Sequence, residues 1–209
     1  MPVGPGLVPW ILARAAPRWD MASRSPTLTL VVVFVAVYLV ELFVGLFGVP
    51  KSAFALATPV TLRPWTLVTS VYAHGSVGHL LANSVGLVLV GLVLERRTSR
   101  ERFHLFFLVT GVLAGLAQVW VTGFFGAGVP VLGASGAVFA LVGYVLAGNR
   151  VSDTVLSAVP LSGRAQLTVF VALAAVLTLF TAGRGIALVA HFTGLLVGLL
   201  AGRAHLLRP

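Results

Sequence analysis

Long apolar runs, broken by short polar and charged clusters, dominate the chain. They fall at about Thr27 to Gly48, Val77 to Leu94, Phe103 to Phe124, Ala134 to Gly148, Ala165 to Ala182 and Ile186 to Ala201. A hydrocarbon core about 30 Å thick takes roughly 20 helical residues to cross, so the pattern predicts six membrane-spanning helices joined by short loops. The fourth run is the shortest. Its glycine and alanine content suits a helix buried among other helices, away from lipid. The expected architecture is all-α: a polytopic six-helix membrane domain over residues 27–203, with an N-terminal tail over 1–26 and a short C-terminal tail over 204–209.

Composition agrees with that pattern. Of 209 residues, 58% are hydrophobic and 9% charged, and the mean hydropathy is +1.05, whereas about 25% charged residues is usual for a soluble domain. The formal charge of +9 could point to nucleic acid, but the basic residues lie scattered between apolar runs and form no basic helix face. Topology accounts for them better. Eleven of the fourteen fall before the first run, between the second and third, between the fourth and fifth, and after the sixth, leaving Lys51, Arg63 and Arg184 for the other face. The positive-inside rule then predicts that both termini are cytoplasmic. The absence of cysteine removes disulfide and thiolate chemistry, and no His/carboxylate cluster stands at ligand spacing, so neither a metal nor a cofactor is expected. Four prolines with Arg14, Arg18 and Asp20 interrupt the first twenty residues, which argues against a cleavable signal peptide, and Met21 is an alternative start.

Two outward loops stand out under this topology. Val49 to Gly75 carries Pro64, Trp65 and Tyr72, a mixture suited to the membrane interface. Gly123 to Leu132 has no charge and can bury itself against protein.

The polar residues left inside the runs share one depth. Ser135 opens the fourth, His191 lies within about two turns of the start of the sixth, and His79 and Asn83 lie in the first turns of the second. All three runs begin at the outer face. An unpartnered hydroxyl in hydrocarbon costs roughly 1 to 3 kcal/mol, and a polar group at such a place is a functional candidate. Ser135 and His191 are the pair that nucleophilic catalysis needs, because a serine hydroxyl is inert until a neutral imidazole within reach takes its proton. No carboxylate is placed to complete a triad, so a dyad is expected. His79 and Asn83, one turn apart on one helix face, and the backbone amides around Gly133 and Ala134 at a helix N-terminus are candidate oxyanion donors. His191, Gly194, Gly198 and Gly202 form one stripe, and Ser135, Phe139 and Gly143 another. Small residues at that spacing bring membrane helices close together, and Phe139 is placed to stack on the imidazole.

These motifs resemble the rhomboid family of intramembrane serine proteases. The matching pieces are Gly133-Ala134-Ser135-Gly136 followed by Phe139 to Gly143, His79-Leu-Leu-Ala-Asn83 with His74 before it and Glu95 closing the helix, and Ala190-His191-Phe-Thr-Gly194-Leu-Leu-Val-Gly198. The resemblance implies a six-helix fold in which Ser135 is nucleophile, His191 general base, and His79, Asn83 and amides hold the oxyanion. Phe139, Gly194, Gly198 and His74 would support the site. It further implies substrates that are transmembrane helices, cut near their outer end, in a lipid bilayer. Two positions depart from the family's habit: Trp65-Thr66 stands where Trp-Arg is frequent, and Phe139 where tyrosine is frequent.

Singly, each residue has a plainer explanation: helix-contact glue for Ser135, a structural hydrogen bond for His191, pinning of the first loop for His79, Asn83 and His74, and a helix-end charge cluster for Glu95. Jointly those explanations must place four costly groups at one depth by chance. A non-catalytic rhomboid-like chaperone or adaptor that binds transmembrane segments is the main alternative, but such relatives typically lack the serine or the histidine. A transporter would more naturally show paired intramembrane charges or inverted repeats, and Glu41 is the one carboxylate inside a span. Abundant Ala, Gly, Val and Arg beside a single Lys point to a bacterial plasma membrane protein with its site on the extracytoplasmic side. Natural substrate and oligomeric state are not written in the sequence.

Overall fold

The computed structural model describes residues 25–126, 128–149, 152–154, 161–183 and 185–208. The expected N-terminal tail, and Arg150 and Arg184 of the charge argument, lie outside them. Each apolar run contains one long helix: α1 (Pro26–Gly45), α3 (Val77–Leu94), α4 (Arg100–Phe124), α5 (Ser135–Ala147), α6 (Gly163–Leu179) and α7 (Leu188–Arg203), with a short α2 (Thr66–Tyr72) ahead of α3. α4 begins three residues before its apolar run. Ser99 accepts the Arg102 N–H at 3.3 Å, so the cap sets the boundary and not the hydropathy.

α1, α3 and α4 are long and apolar enough to cross a membrane, while α5, α6 and α7 are shorter apolar helices. Thirteen residues make α5 only about 20 Å long, about 10 Å less than the hydrocarbon thickness. Large apolar side chains such as Val32, Leu39, Phe43, Leu89 and Leu105 are exposed on the outer helices, a surface that only lipid can cover in a protein with this composition.

One end of the bundle is tied by polar contacts. Glu95, just past α3, accepts from the Ser25 hydroxyl at 2.8 Å and the Thr27 N–H at 3.1 Å, so it closes the N-terminus of α1 and is more than a surface charge. Tyr144 of α5 accepts the Leu207 N–H at 3.0 Å, Arg102 donates to the Arg208 carbonyl, and Asp153 pairs with His205 and Arg208 at 3.3 and 3.2 Å. Helix directions put the start of α1, the end of α3, the start of α4 and the ends of α5 and α7 together here.

At the opposite end the first loop folds back on itself. The Arg63 guanidinium donates to the Ser52 carbonyl at 2.6 Å and the Trp65 indole to the Ala53 carbonyl at 3.1 Å, so the loop is closed without an arginine at position 66. Leu56 and Val131 exchange both backbone hydrogen bonds, at 2.8 and 2.9 Å, joining the first loop to the uncharged one. Glu41 of α1 is buried and accepts the His74 N–H at 3.3 Å, which ties that helix to the turn before α3. Phe34 packs on Phe107 and His74, with ring centroids 6.0 and 4.9 Å away, filling the space between α1, α2 and α4.

The tightest packing is between α5 and α7. A Cβ on Gly194 would stand 2.9 Å from the Gly136 carbonyl carbon, and one on Gly198 would stand 2.8 Å from the Ala140 Cα. Carbon atoms prefer about 3.5 to 4.0 Å, so the two backbones touch along the glycine stripe.

Candidate active site

A cavity of about 760 Å³ opens at the end of the bundle where α3, α5 and α7 begin. Its walls are mainly apolar, from Val138, Val142, Ile186 and the Pro130 to Leu132 segment, and five polar side chains reach it: His79, Asn83, Gln118, Ser135 and His191. Ser135 is half-buried, and Asn83 and His191 are buried. The serine stands on the first residue of α5, and no side chain caps that helix. By contrast Ser25, Ser76, Ser99 and Ser162 each cap their own helices. The first-turn amides of α5 therefore have no side-chain acceptor, and they carry the positive end of the helix dipole.

His191 is held on two sides. Phe139, one turn along α5 from the serine, stacks on the imidazole with centroids 4.3 Å apart and planes 19° from parallel. The Thr181 hydroxyl meets its Nδ1 at 3.0 Å.

Asn83 donates from its amide to the His79 carbonyl at 2.9 Å. That uses one of two amide hydrogens and leaves the other. Gly133 adopts φ +126°, and a Cβ there would stand 2.7 Å from His79 Nε2, so the lack of a side chain lets the ring lie against the backbone. The Gly133 N–H donates to the Ser70 carbonyl at 2.8 Å. This amide, expected among the oxyanion donors, is thereby engaged elsewhere.

His74 lies outside the cavity, in the loop ahead of α3. Its Nδ1 bonds the Tyr72 carbonyl at 2.9 Å, and its ring meets that of His79 edge-on at 5.3 Å. Burial, and then the neighbouring His79, push its pKa down to about 4, so it is neutral near pH 7. Gly194 and Gly198 face α5 and form the seam, away from the cavity wall.

Gln118 and Thr181 carried no expectation, and Glu41 stood only as a lone carboxylate inside a span. Gln118 of α4 lines the cavity and accepts the Ala190 N–H at 3.1 Å, capping the otherwise uncapped first turn of α7. A glutamine inside an apolar run was a usable signal. Thr181 and Glu41 gave less away, since each has a partner that only the tertiary fold brings close.

The fold and cavity define a class: an integral membrane protein of packed apolar helices, with a pocket of polar side chains sunk into one end. Residues 61–208 match the family model described as Rhomboid domain, and the chain belongs to the rhomboid family. It is 34% identical over 177 residues to the rhomboid protease GlpG of Pectobacterium atrosepticum, covering 83% of this chain and 60% of that protein. Similarity to the rhomboid protease GlpG of Yersinia pestis (strain Pestoides F) is 30% over the same share of each chain. The chain thus spans about 60% of the length of the curated relatives it matches.

Proposed function

We propose that this protein is an intramembrane serine endopeptidase that cleaves transmembrane segments near their extracytoplasmic end with a Ser135–His191 dyad. The observation that carries the proposal is that a serine on the uncapped first residue of α5 and a stacked, buried histidine on α7 line one cavity, across a seam too tight for side chains. His191 takes the proton of Ser135, whose oxygen attacks the substrate carbonyl. The tetrahedral oxyanion accepts hydrogen bonds from His79, the spare amide hydrogen of Asn83 and the first-turn amides of α5. The imidazolium returns its proton to the departing amine, and water, activated by the same imidazole, hydrolyses the acyl-enzyme. A substrate helix must unwind first, because its carbonyls are bonded along the helix.

In this reading all six long helices span the bilayer, both termini are cytoplasmic and the cavity faces the extracytoplasmic side. Since the chain has no cysteine, single cysteines at Ser52 and at Arg208 would report the two sides in intact bacteria, and equal labelling by an impermeant maleimide at both would overturn the orientation. For the chemistry, a fluorophosphonate probe should label the wild-type protein and spare Ser135→Ala. Ser135→Ala and His191→Ala should each abolish cleavage of a helical reporter in vesicles. Cleavage retained by the serine variant would refute the proposal, and binding of transmembrane segments without cleavage by the wild type would favour the chaperone alternative.

A further inference from the structure

A dyad without a carboxylate leaves open what selects the tautomer of its histidine. A base that serves Ser135 through Nε2 needs its one proton on Nδ1, and a histidine locked in the wrong tautomer loses about 10⁴-fold in a triad. Among the described residues one hydroxyl stands at Nδ1, that of Thr181, at 3.0 Å. The same hydroxyl lies 2.7 Å from the Thr178 carbonyl. A hydroxyl has a single proton and two lone pairs, while a carbonyl can only accept. The shorter contact to Thr178 therefore claims the proton, and at the imidazole the threonine oxygen is left as acceptor. Nδ1 must then be the donor, and Nε2 carries the lone pair.

We propose that Thr181 is the positioning residue of the base: by donating to the Thr178 carbonyl it accepts the His191 Nδ1 proton and fixes the tautomer that can deprotonate Ser135. The proposal rests on the dyad reading above. Thr181 follows directly on the C-terminal residues of α6, so this bond also couples the base to the end of a helix that carries no other named part of the site. Phe139 of α5 fixes the plane of the ring and Thr181, just past α6, its edge.

The test uses full-length protein labelled with ¹⁵N at histidine, in detergent micelles near pH 8, with the His191 signals assigned by their loss in His191→Asn. In the wild type Nδ1 should be protonated and Nε2 unprotonated. Thr181→Val, which keeps the shape and deletes the hydroxyl, should move the ring to the other tautomer or to a mixture and lower kcat by about 2- to 10-fold, the range of one neutral hydrogen bond, with KM nearly unchanged. Thr181→Ser should restore both. A protonated Nε2 in the wild type overturns the proposal whatever the variants do, including the case in which Thr181→Val fails to fold. An unchanged tautomer in a folded Thr181→Val also overturns it. The readouts separate the two proposals, because a wild type that neither reacts with the fluorophosphonate nor cleaves refutes the protease reading and leaves the tautomer measurement standing.

Discussion

Replacing Gly194 with alanine adds one methyl group at the point where α5 and α7 meet backbone to backbone. The new Cβ would stand 2.9 Å from the Gly136 carbonyl carbon and 3.2 Å from its Cα, against a preferred carbon–carbon separation of about 3.5 to 4.0 Å. Both groups under pressure are backbone, so no rotamer change relieves the clash. The helices must separate by about 1 Å, or one must bend. Gly136 follows Ser135 directly, and Gly194 lies within one turn of His191, so the displacement falls on the two groups proposed to exchange a proton. Overpacking of this kind costs about 1 to 3 kcal/mol, and a misplacement of about 1 Å can cost about 100-fold in rate. Thermal unfolding in detergent and reporter cleavage in vesicles measure the two effects. Gly45→Ala in α1, where nothing lies within 4 Å of the new Cβ, is the control, and it should be neutral or slightly stabilising. If Gly194→Ala matches that control in both assays, the seam does not set the geometry of the site.

His79→Ala and Asn83→Ala should each lower kcat by roughly 10- to 1000-fold, as oxyanion donors do, while fluorophosphonate labelling of Ser135 weakens but persists; unchanged turnover would make both residues structural. Glu95→Ala deletes two bonds to the start of α1 and should destabilise the fold by about 1 to 3 kcal/mol with little change in kcat, measured by denaturant unfolding of the purified chain. His74 has a folded pKa near 4 against about 6.5 when unfolded, so the unfolded state binds more protons between those values and stability falls as pH drops through that window. Its share at pH 5 is about 2 kcal/mol. His74→Asn should flatten the dependence of unfolding free energy on pH, and an identical slope in variant and wild type would contradict the buried, neutral assignment.

Much of this arrangement was legible in the sequence, and what was missed has a common cause. The six helices were readable from their apolar runs, and Ser135 and His191, which line one cavity, stood out as polar residues inside such runs. Stripe spacing then brought α5 and α7 together. Glu41 read as a lone intramembrane charge because its partner is the His74 backbone N–H, a donor almost every residue possesses and no sequence marks. Gly133 was counted as a free amide for the same reason, its acceptor being the Ser70 carbonyl. Thr181 is one threonine among many until the fold sets it against Nδ1. Side-chain identity writes half of a hydrogen bond into the sequence, and where the other half is backbone only the fold supplies it.

The same asymmetry divides the molecule by tolerance to change. Membrane helices gain no hydrophobic drive from association, so close contact depends on small residues and shape. That requirement is concentrated on α5 and α7, where the seam and the proposed dyad, Ser135 and His191, share the same few turns. α1 is different: Leu39 and Phe43 face outward, Leu30, Phe34 and Tyr38 join the core on the other side, and polar contacts through Glu95 and Glu41 hold its two ends. Substitutions that keep its outward face apolar, at Leu39 or Phe43, should therefore leave both stability and turnover nearly unchanged. On the seam a single methyl group should disturb packing and chemistry together, because the stripe that lets the backbones touch runs along the two helices that bring Ser135 and His191 to one cavity.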